Sequence, residues 1–307
     1  MTKVFIDGSA GTTGLRIHER LADRSDLELL ILPDAVRKDP NARKEALFAS
    51  DIAFLCLPDD AAREAVALAA GSKVKIIDTS TAHRTAPDWA YGFPELAGQR
   101  QRISASHRIA NPGCHARGFV ALIAPLVENG ILKADAHLSA FSLTGYSGGG
   151  KKMIAQYEAA ERDALLNGPR QYALTQSHKH LKEMAALCGL ENAPVFCPVV
   201  GDFYSGMEVT VPLFASDIRS DLHTIQELYR QYYATGLVKF SENADPDGML
   251  SAVGYADRDD MEVAAFGNED RIILTARFDN LGKGASGAAI QNMNILLGLP
   301  EATGLNV

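Results

Sequence analysis

Val4-Phe5-Ile6-Asp7-Gly8-Ser9-Ala10-Gly11-Thr12-Thr13-Gly14 decides the fold of the N-terminal half. Lys3 to Ile6 is a short β-branched and aromatic run. Glycines follow at 8, 11 and 14, and Leu15 to Leu21 then shows helical spacing. Strand, glycine turn and helix in this order form the arrangement that holds a dinucleotide pyrophosphate at a helix N-terminus. The spacing is GxxGxxG instead of the commoner GxGxxG, so a plain strand-to-helix turn is the competing reading. Gly8, Ser9, Gly11, Thr12, Thr13 and Gly14 are the candidate pyrophosphate residues.

The pattern continues outward from this turn. Leu27 to Leu32 reads as a second strand, followed by Asp34, Arg37 and Lys38. An acidic residue here suits the ribose hydroxyls of NAD. The two cations suit a 2′-phosphate, so NADP is favoured, with Arg37 as a cofactor residue and NAD kept open by Asp34. Asp51 to Leu57 is a strand of the fully buried kind, closed by Pro58, and Ala61 to Ala70 reads as a helix. Val74 to Ile77 is the next strand and ends in Asp78-Thr-Ser80-Thr-Ala-His-Arg84. Alternating strands and helices predict an α/β Rossmann domain with a parallel, doubly wound sheet. Ligands of such sheets sit beyond the strand C-termini, where Pro58, Ser80 and Arg84 fall. The fork of Arg84 suits a phosphate or carboxylate; a surface arginine is the plainer reading.

Asn111-Pro112-Gly113-Cys114-His115-Ala116-Arg117-Gly118 places a cysteine in a tight turn before a helix expected from Ala116 to Val127. A helix N-terminus favours a thiolate, and the thiolate attacks carbonyls. A buried structural cysteine is the alternative. Further on, Ala136 to Thr144 reads as a strand that enters Gly145-Tyr-Ser-Gly148-Gly-Gly-Lys151-Lys152, a glycine loop with two cations. His178 and His180 form an HxH pair open to acid/base work, surface exposure or metal ligation. No third ligand is apparent nearby, so no metal is expected. Val195–Val200, Met207–Phe214 and Arg271–Phe278 read as strands, with a helix at Leu222–Ala234. The second half is thus expected as a central α+β domain with a mixed, largely antiparallel sheet. A glycine-rich turn and small-residue helix close the chain.

Composition narrows the partners. The 307 residues carry a net charge of −8, with a pI near 5.5. That argues against nucleic acid or an anionic membrane surface. No run approaches the ~18–20 apolar residues of a membrane span, and no signal-peptide pattern is visible. Four cysteines without CxxC spacing fit a reducing cytoplasm.

Taken together, Gly8–Gly14, Leu57-Pro58, Asp78–Arg84, Tyr91-Gly-Phe-Pro-Glu-Leu96, Asn111-Pro-Gly-Cys114, Ser147-Gly-Gly-Gly-Lys151, His178/His180, Asp279-Asn280-Leu-Gly-Lys-Gly284 and Gln291-Asn-Met-Asn294 resemble one family over nearly the whole chain. It is the short form of the N-acetyl-γ-glutamyl-phosphate reductases of arginine biosynthesis, in the aspartate-semialdehyde dehydrogenase superfamily. The resemblance implies NADPH-dependent reduction of an acyl phosphate through a thioester. Cys114 is then the nucleophile and His180 the acid/base, with His178 sharing or positioning. Arg84 holds phosphate and Lys151 a substrate anion, while Pro58, Gly148 and Asn280 lie near the nicotinamide. It also implies a Rossmann domain of residues 1–113 with 285–307, a catalytic domain of 114–284, and a homodimer or homotetramer meeting through sheet residues 195–214 and 262–278. His115 departs from the family, which usually has an aromatic residue after the cysteine. An aspartate-semialdehyde dehydrogenase type of reductase and a non-catalytic NADP-binding sensor are the alternative readings.

Overall fold

The computed structural model describes residues 1–244 and 247–307. The chain divides into two compact units, Met1–Pro112 with Ala285–Leu305, and Gly113–Gly284 with Asn306–Val307.

The first unit alternates strand and helix: β1 (Thr2–Asp7), α1 (Thr12–Leu21), β2 (Leu27–Leu30), α2 (Pro40–Ala49), β3 (Ile52–Leu55), α3 (Asp59–Leu68), β4 (Lys75–Asp78), β5 (Ala90–Tyr91), α4 (Gln99–Ala105) and β6 (Arg108–Ala110). The six strands lie in the order β2-β1-β3-β4-β6-β5, and every pairing is parallel. Parallel strands covered on both faces must be apolar on both sides. In β1 the strand period of two sends Val4 and Ile6 into a core with Ile17, Leu21, Ile290 and Met293. Phe5 goes to the opposite core, with Leu47, Ala62 and Trp89. Ile290 and Met293 belong to a late helix, Gly287–Leu296, that returns to this unit. The chain winds outward from β1 in one direction and from β3 in the other, so the crevice for a ligand opens beyond Asp7 and Leu55.

The second unit contains α5 (Cys114–Glu128), β7 (Ser139–Gly145), α6 (Gly150–Tyr157), β8 (Arg170–Gln171), α7 (His180–Cys188), β9 (Val195–Gly201), β10 (Met207–Phe214), α8 (Leu222–Tyr232), β11 (Val238–Phe240), β12 (Met261–Gly267) and β13 (Arg271–Phe278); the late helix of the first unit is α9. Its sheet runs β11-β12-β13-β10-β7-β9-β8. The pairs β11–β12 and β7–β9 are parallel and the other four antiparallel. Helix α5 is buried from His115 to Leu126. Gly118 lets it close on the sheet, since a Cβ there would meet the Val209 and Phe278 side chains. Tyr229 and Tyr233 tie it to the α8 end by donating to the Leu122 and Ala121 carbonyls. The far face of the sheet carries Phe141, Pro212, Phe214 and Ile273, all exposed.

Three local expectations change. Helix α5 starts at Cys114 instead of Ala116, because Gly113 is its N-cap. The stretch after Gly145 is not an open glycine loop: it makes a 3₁₀ turn at Tyr146–Gly149 and then α6, with Gly150 at φ 71° absorbing the change of direction. Strand β2 ends at Leu30, two residues short of Leu32.

Candidate active site

At the C-terminal end of β1 the glycines have separate tasks. Gly8 sits at φ +90°, and a Cβ there would run into the Cys56 carbonyl. A Cβ on Gly14 would run into the Gly8 carbonyl, so Gly14 lets α1 pack closely behind the turn. Gly11 caps α1, with no side chain closing the helix end and no acidic residue in the first turn. The N–H groups of Thr12 and Thr13 have no partner among the described residues, which leaves a cationic helix end suited to a pyrophosphate. Arg37 lies beyond β2, exposed, in an ion pair with Asp34 at 3.1 Å.

The ends of β3 and β4 form a second set within this unit. Pro58 caps α3. Asp59, the first residue of α3, accepts from the Thr81 N–H at 2.9 Å and also from its hydroxyl. Asp78 is wholly buried. It accepts from the Ser80 N–H at 2.9 Å and the Ser80 hydroxyl at 2.7 Å, and pairs with His83 Nδ1 at 2.7 Å. The Ser80 hydroxyl also accepts from the Ala82 N–H, so its polar capacity is largely used inside the turn. Arg84 is buried, donating from Nε to the Asn111 carbonyl and from Nη2 to the Thr79 carbonyl, each at 3.0 Å. Two carbonyls thus fix the plane of its fork.

The second unit carries the cysteine and histidines. Cys114 is the first residue of the 15-residue helix α5, whose N-terminus has no side-chain cap. The dipole of such a helix stabilises negative charge at its first turn. The N–H of Gly113 donates to Glu183 Oε1 at 2.8 Å. Glu183 and His180 are both buried on α7, three residues apart and hence on one helix face. His178 Nδ1 accepts from the His180 N–H at 3.2 Å, which puts the proton of the neutral His178 ring on Nε2. The rings of His178 and His180 are 4.7 Å apart. His115, directly after Cys114, lies 5.7 Å from His178 and 5.6 Å from His180.

His115 is set apart from acid/base work. Its Nδ1 is 2.7 Å from Ser142 Oγ and its Nε2 2.7 Å from Tyr172 Oη. Burial first, then the His178 charge, pushes its pKa down to about 3. With both nitrogens engaged it stays neutral. Two of the other three cysteines sit where the thiolate is disfavoured. Burial pushes the Cys56 thiol up to about 12 and the Cys188 thiol well above its ordinary value, which disfavours the reactive thiolate at both.

The Asp279–Gly284 segment lies beside Cys114. Asp279 gathers the N–H groups of Leu281, Gly282 and Asp257, each at 2.7 Å. Gly284 then lies against Cys114, where a Cβ would come within 3.1 Å of the Cys114 Cβ. Asn280 accepts from the Gly206 N–H at 2.9 Å and donates to Ser147 Oγ at 2.9 Å. Gly148, beside Ser147, is exposed, and a Cβ there would stay 3.5 Å or more from its neighbours. Lys151 is exposed at the start of α6. Within the second unit the structure therefore gathers His178 and His180 around His115, the residue after Cys114, and links Asn280 to the 147–148 turn. Glu183 and Tyr172 join the cluster without having been singled out from the sequence. For Glu183 the signal was its spacing from His180; Tyr172 carried none.

Comparison with known proteins agrees with this arrangement. Residues 33–105 match the semialdehyde dehydrogenase NAD binding domain, and residues 114–280 match the semialdehyde dehydrogenase dimerisation domain. The N-acetyl-gamma-glutamyl-phosphate reductase 2 of Nostoc sp. is 45% identical over 99% of this chain and 99% of its own. The N-acetyl-gamma-glutamyl-phosphate reductase of Brucella ovis is 47% identical over 96% and 99%. Among solved structures, aspartate semialdehyde dehydrogenase II from Vibrio cholerae superimposes with a TM-score of 0.72 at 17% identity, covering 97% of this chain and 98% of that one. The chain belongs to the N-acetyl-gamma-glutamyl-phosphate reductase family, oxidoreductases built on the semialdehyde dehydrogenase fold.

Proposed function

We propose that the protein reduces N-acetyl-γ-glutamyl phosphate to N-acetylglutamate γ-semialdehyde in arginine biosynthesis, with NADPH as reductant and Cys114 as nucleophile. The observation that carries this reading is Cys114 itself, the first residue of an uncapped 15-residue helix, in a chain 45% identical over 99% of its length to a reductase of that name.

In this reading the α5 dipole favours the Cys114 thiolate, which attacks the acyl carbon. The C–O bond to phosphate breaks and a thioester forms on Cys114. Arg84, its fork pre-set by the Thr79 and Asn111 carbonyls, takes the charge of the departing phosphate. Gly8, Ser9, Gly11, Thr12, Thr13 and Gly14 hold the cofactor pyrophosphate, Arg37 its 2′-phosphate, and Pro58, Ser80, Gly148 and Asn280 the nicotinamide side. The cofactor, when bound, supplies a hydride to the acyl carbon. His180 then manages the proton of the hemithioacetal hydroxyl as the C–S bond breaks and the aldehyde leaves, with His178 assisting. Lys151 binds a carboxylate of the substrate. The enzyme works in the cytoplasm as a homodimer or homotetramer, joined through the exposed sheet face around Phe141 and Ile273.

The test is oxidation of N-acetylglutamate γ-semialdehyde with NADP, wild type beside Cys114→Ser. Turnover that requires phosphate and falls by at least about 10³-fold in the variant is expected. Turnover of aspartate semialdehyde alone would replace the substrate. NADP binding with no turnover of either aldehyde would leave a sensor.

A further inference from the structure

Two residues of the second unit adopt backbone that glycine normally occupies. Ala173 sits at φ 53° and Gln176 at φ 55°, in the left-handed region that is unfavourable for any residue with a Cβ. Such conformations persist only where the surroundings hold them. The turn lies between two side chains of the histidine cluster. On one side is Tyr172, whose hydroxyl is 2.7 Å from His115 Nε2; on the other is His178.

The strand register shows what the turn replaces. β8 pairs with β9 through Arg170–Val200 and Gln171–Val199, and the Tyr172 N–H still donates to the Pro198 carbonyl at 3.1 Å. Continued without a break, this antiparallel register would set Leu174 against Phe196. Instead the backbone leaves the sheet and closes on itself, the Gln176 N–H donating to the Ala173 carbonyl at 3.0 Å, while Leu174 is exposed. The Gln176 side chain takes the place of the strand residue. Its Nε2 donates to the Phe196 carbonyl at 2.7 Å and its Oε1 accepts from the Phe196 N–H at 2.8 Å. These are the two bonds a strand residue exchanges with its antiparallel partner. Phe196 is buried, so neither backbone group has water as an alternative. Two residues after Gln176, the His178 ring packs edge-on against the Phe196 ring at 5.2 Å and against the His180 ring at 4.7 Å. One short segment thus holds Phe196 twice, its backbone by Gln176 and its ring by His178.

We propose that Gln176 is the positioning residue of His178. Its amide stands in for a strand residue, holds the 173–176 turn in its left-handed form, and seats the His178 ring where Nδ1 accepts the His180 N–H at 3.2 Å. Its effect on turnover rests on His178 assisting His180, as proposed above. Only an amide makes the clamp: leucine fills a similar volume and offers neither bond. Glutamate keeps the acceptor for the Phe196 N–H but sets a carboxylate oxygen against the Phe196 carbonyl.

The test compares Gln176→Leu and Gln176→Glu with the wild-type full chain by two readouts. The first is long-range proton–nitrogen NMR of the imidazoles, with His178 assigned through His178→Asn. In the wild type the neutral His178 ring should show the Nε2–H tautomer. Gln176→Leu is expected to turn this into a mixture of both tautomers and to leave His18, in the other unit, unchanged. Gln176→Glu should lie between. The second readout is aldehyde oxidation: kcat should fall about tenfold in Gln176→Leu, with KM for aldehyde and phosphate within about twofold of wild type. An unchanged His178 spectrum in Gln176→Leu would overturn the proposal, as would equal disturbance of every histidine. A disturbed His178 with wild-type kcat would overturn its bearing on turnover. Should Gln176→Leu fail to fold, Gln176→Glu decides by the same readouts. The spectrum needs no substrate. A tautomer mixture in a protein whose wild type turns over neither aldehyde would sink the proposed reaction and leave the clamp standing.

Discussion

Glu183 accepts the Gly113 backbone N–H at 2.8 Å, fixing the residue on which α5 begins. The carboxylate is buried, so this N–H has no water to turn to if Glu183 is lost. Glu183→Ala should cost about 1–3 kcal/mol in urea unfolding. Glu183→Gln keeps an acceptor oxygen and should recover most of that. Equal stability of wild type and Glu183→Ala would show that the bond does not anchor the helix start.

The Gly8–Gly14 turn, proposed to hold the cofactor pyrophosphate, allows a sharper separation of stability from binding. A Cβ on Gly14 collides with the Gly8 carbonyl, whereas one on Gly11 stays 3.4 Å from its nearest neighbour. Gly14→Ala is therefore expected to lower thermal stability as α1 is pushed from β1. Gly11→Ala should fold as well as wild type yet weaken NADP binding in titration calorimetry, because the methyl occupies space at the helix end. Undiminished NADP affinity in Gly11→Ala would remove that glycine from the cofactor site.

The first unit was legible because its signals are local. β3 is a run of four buried apolar residues, and the glycines of the first turn sit within seven positions. What stayed hidden was long-range. Gln291, Asn292 and Asn294 read as part of a family motif, and in the structure they hydrogen-bond other residues of the same unit. Gln291 Nε2 bonds Glu95 at 2.9 Å and Glu301 at 2.8 Å. Asn292 bonds the Gly92 carbonyl at 3.0 Å, and Asn294 the carbonyls of Glu301 and Thr303. Tyr172 was invisible for the same reason: its partner His115 is 57 positions away, and no periodicity links them. The start of α5 was misplaced because apolar spacing begins at Ala116, while the helix is started by a turn and a distant carboxylate.

Arg84 differs from an ordinary charged side chain in being held by two carbonyls at 3.0 Å. Arg84→Lys keeps the charge and loses both anchors and the fork. In the oxidative direction the KM for phosphate should rise about tenfold or more, equivalent to about 1.4 kcal/mol, with KM for the aldehyde little changed. A rise in both constants together would point to a collapsed turn instead of a lost phosphate contact.

Arg37, proposed to hold the 2′-phosphate of NADP, is paired with Asp34 at 3.1 Å. Both are exposed, so the pair itself contributes little to stability. Arg37→Ala should raise KM for NADP about tenfold and leave KM for NAD unchanged. Asp34→Ala should act in the opposite direction on NADP by releasing the guanidinium. If neither variant alters the NADP to NAD ratio, discrimination lies outside this turn.

His115 ties the site to acid stability. Its pKa falls from 6.5 to about 3 on folding, so between these values the unfolded chain holds a proton that the folded chain does not. Its contribution is fully present above pH 6.5 and is lost as the pH drops towards 3. The slope from this one group reaches about 1.4 kcal/mol per pH unit. Urea unfolding at pH 7.5 and pH 5 should show this loss in the wild type. His115→Phe keeps an apolar ring in the place but removes the titrating group, so its stability should fall less steeply over the same interval, by about one proton. Parallel pH profiles for the two proteins would mean that His115 takes up its proton within the folded protein as it does in the unfolded chain.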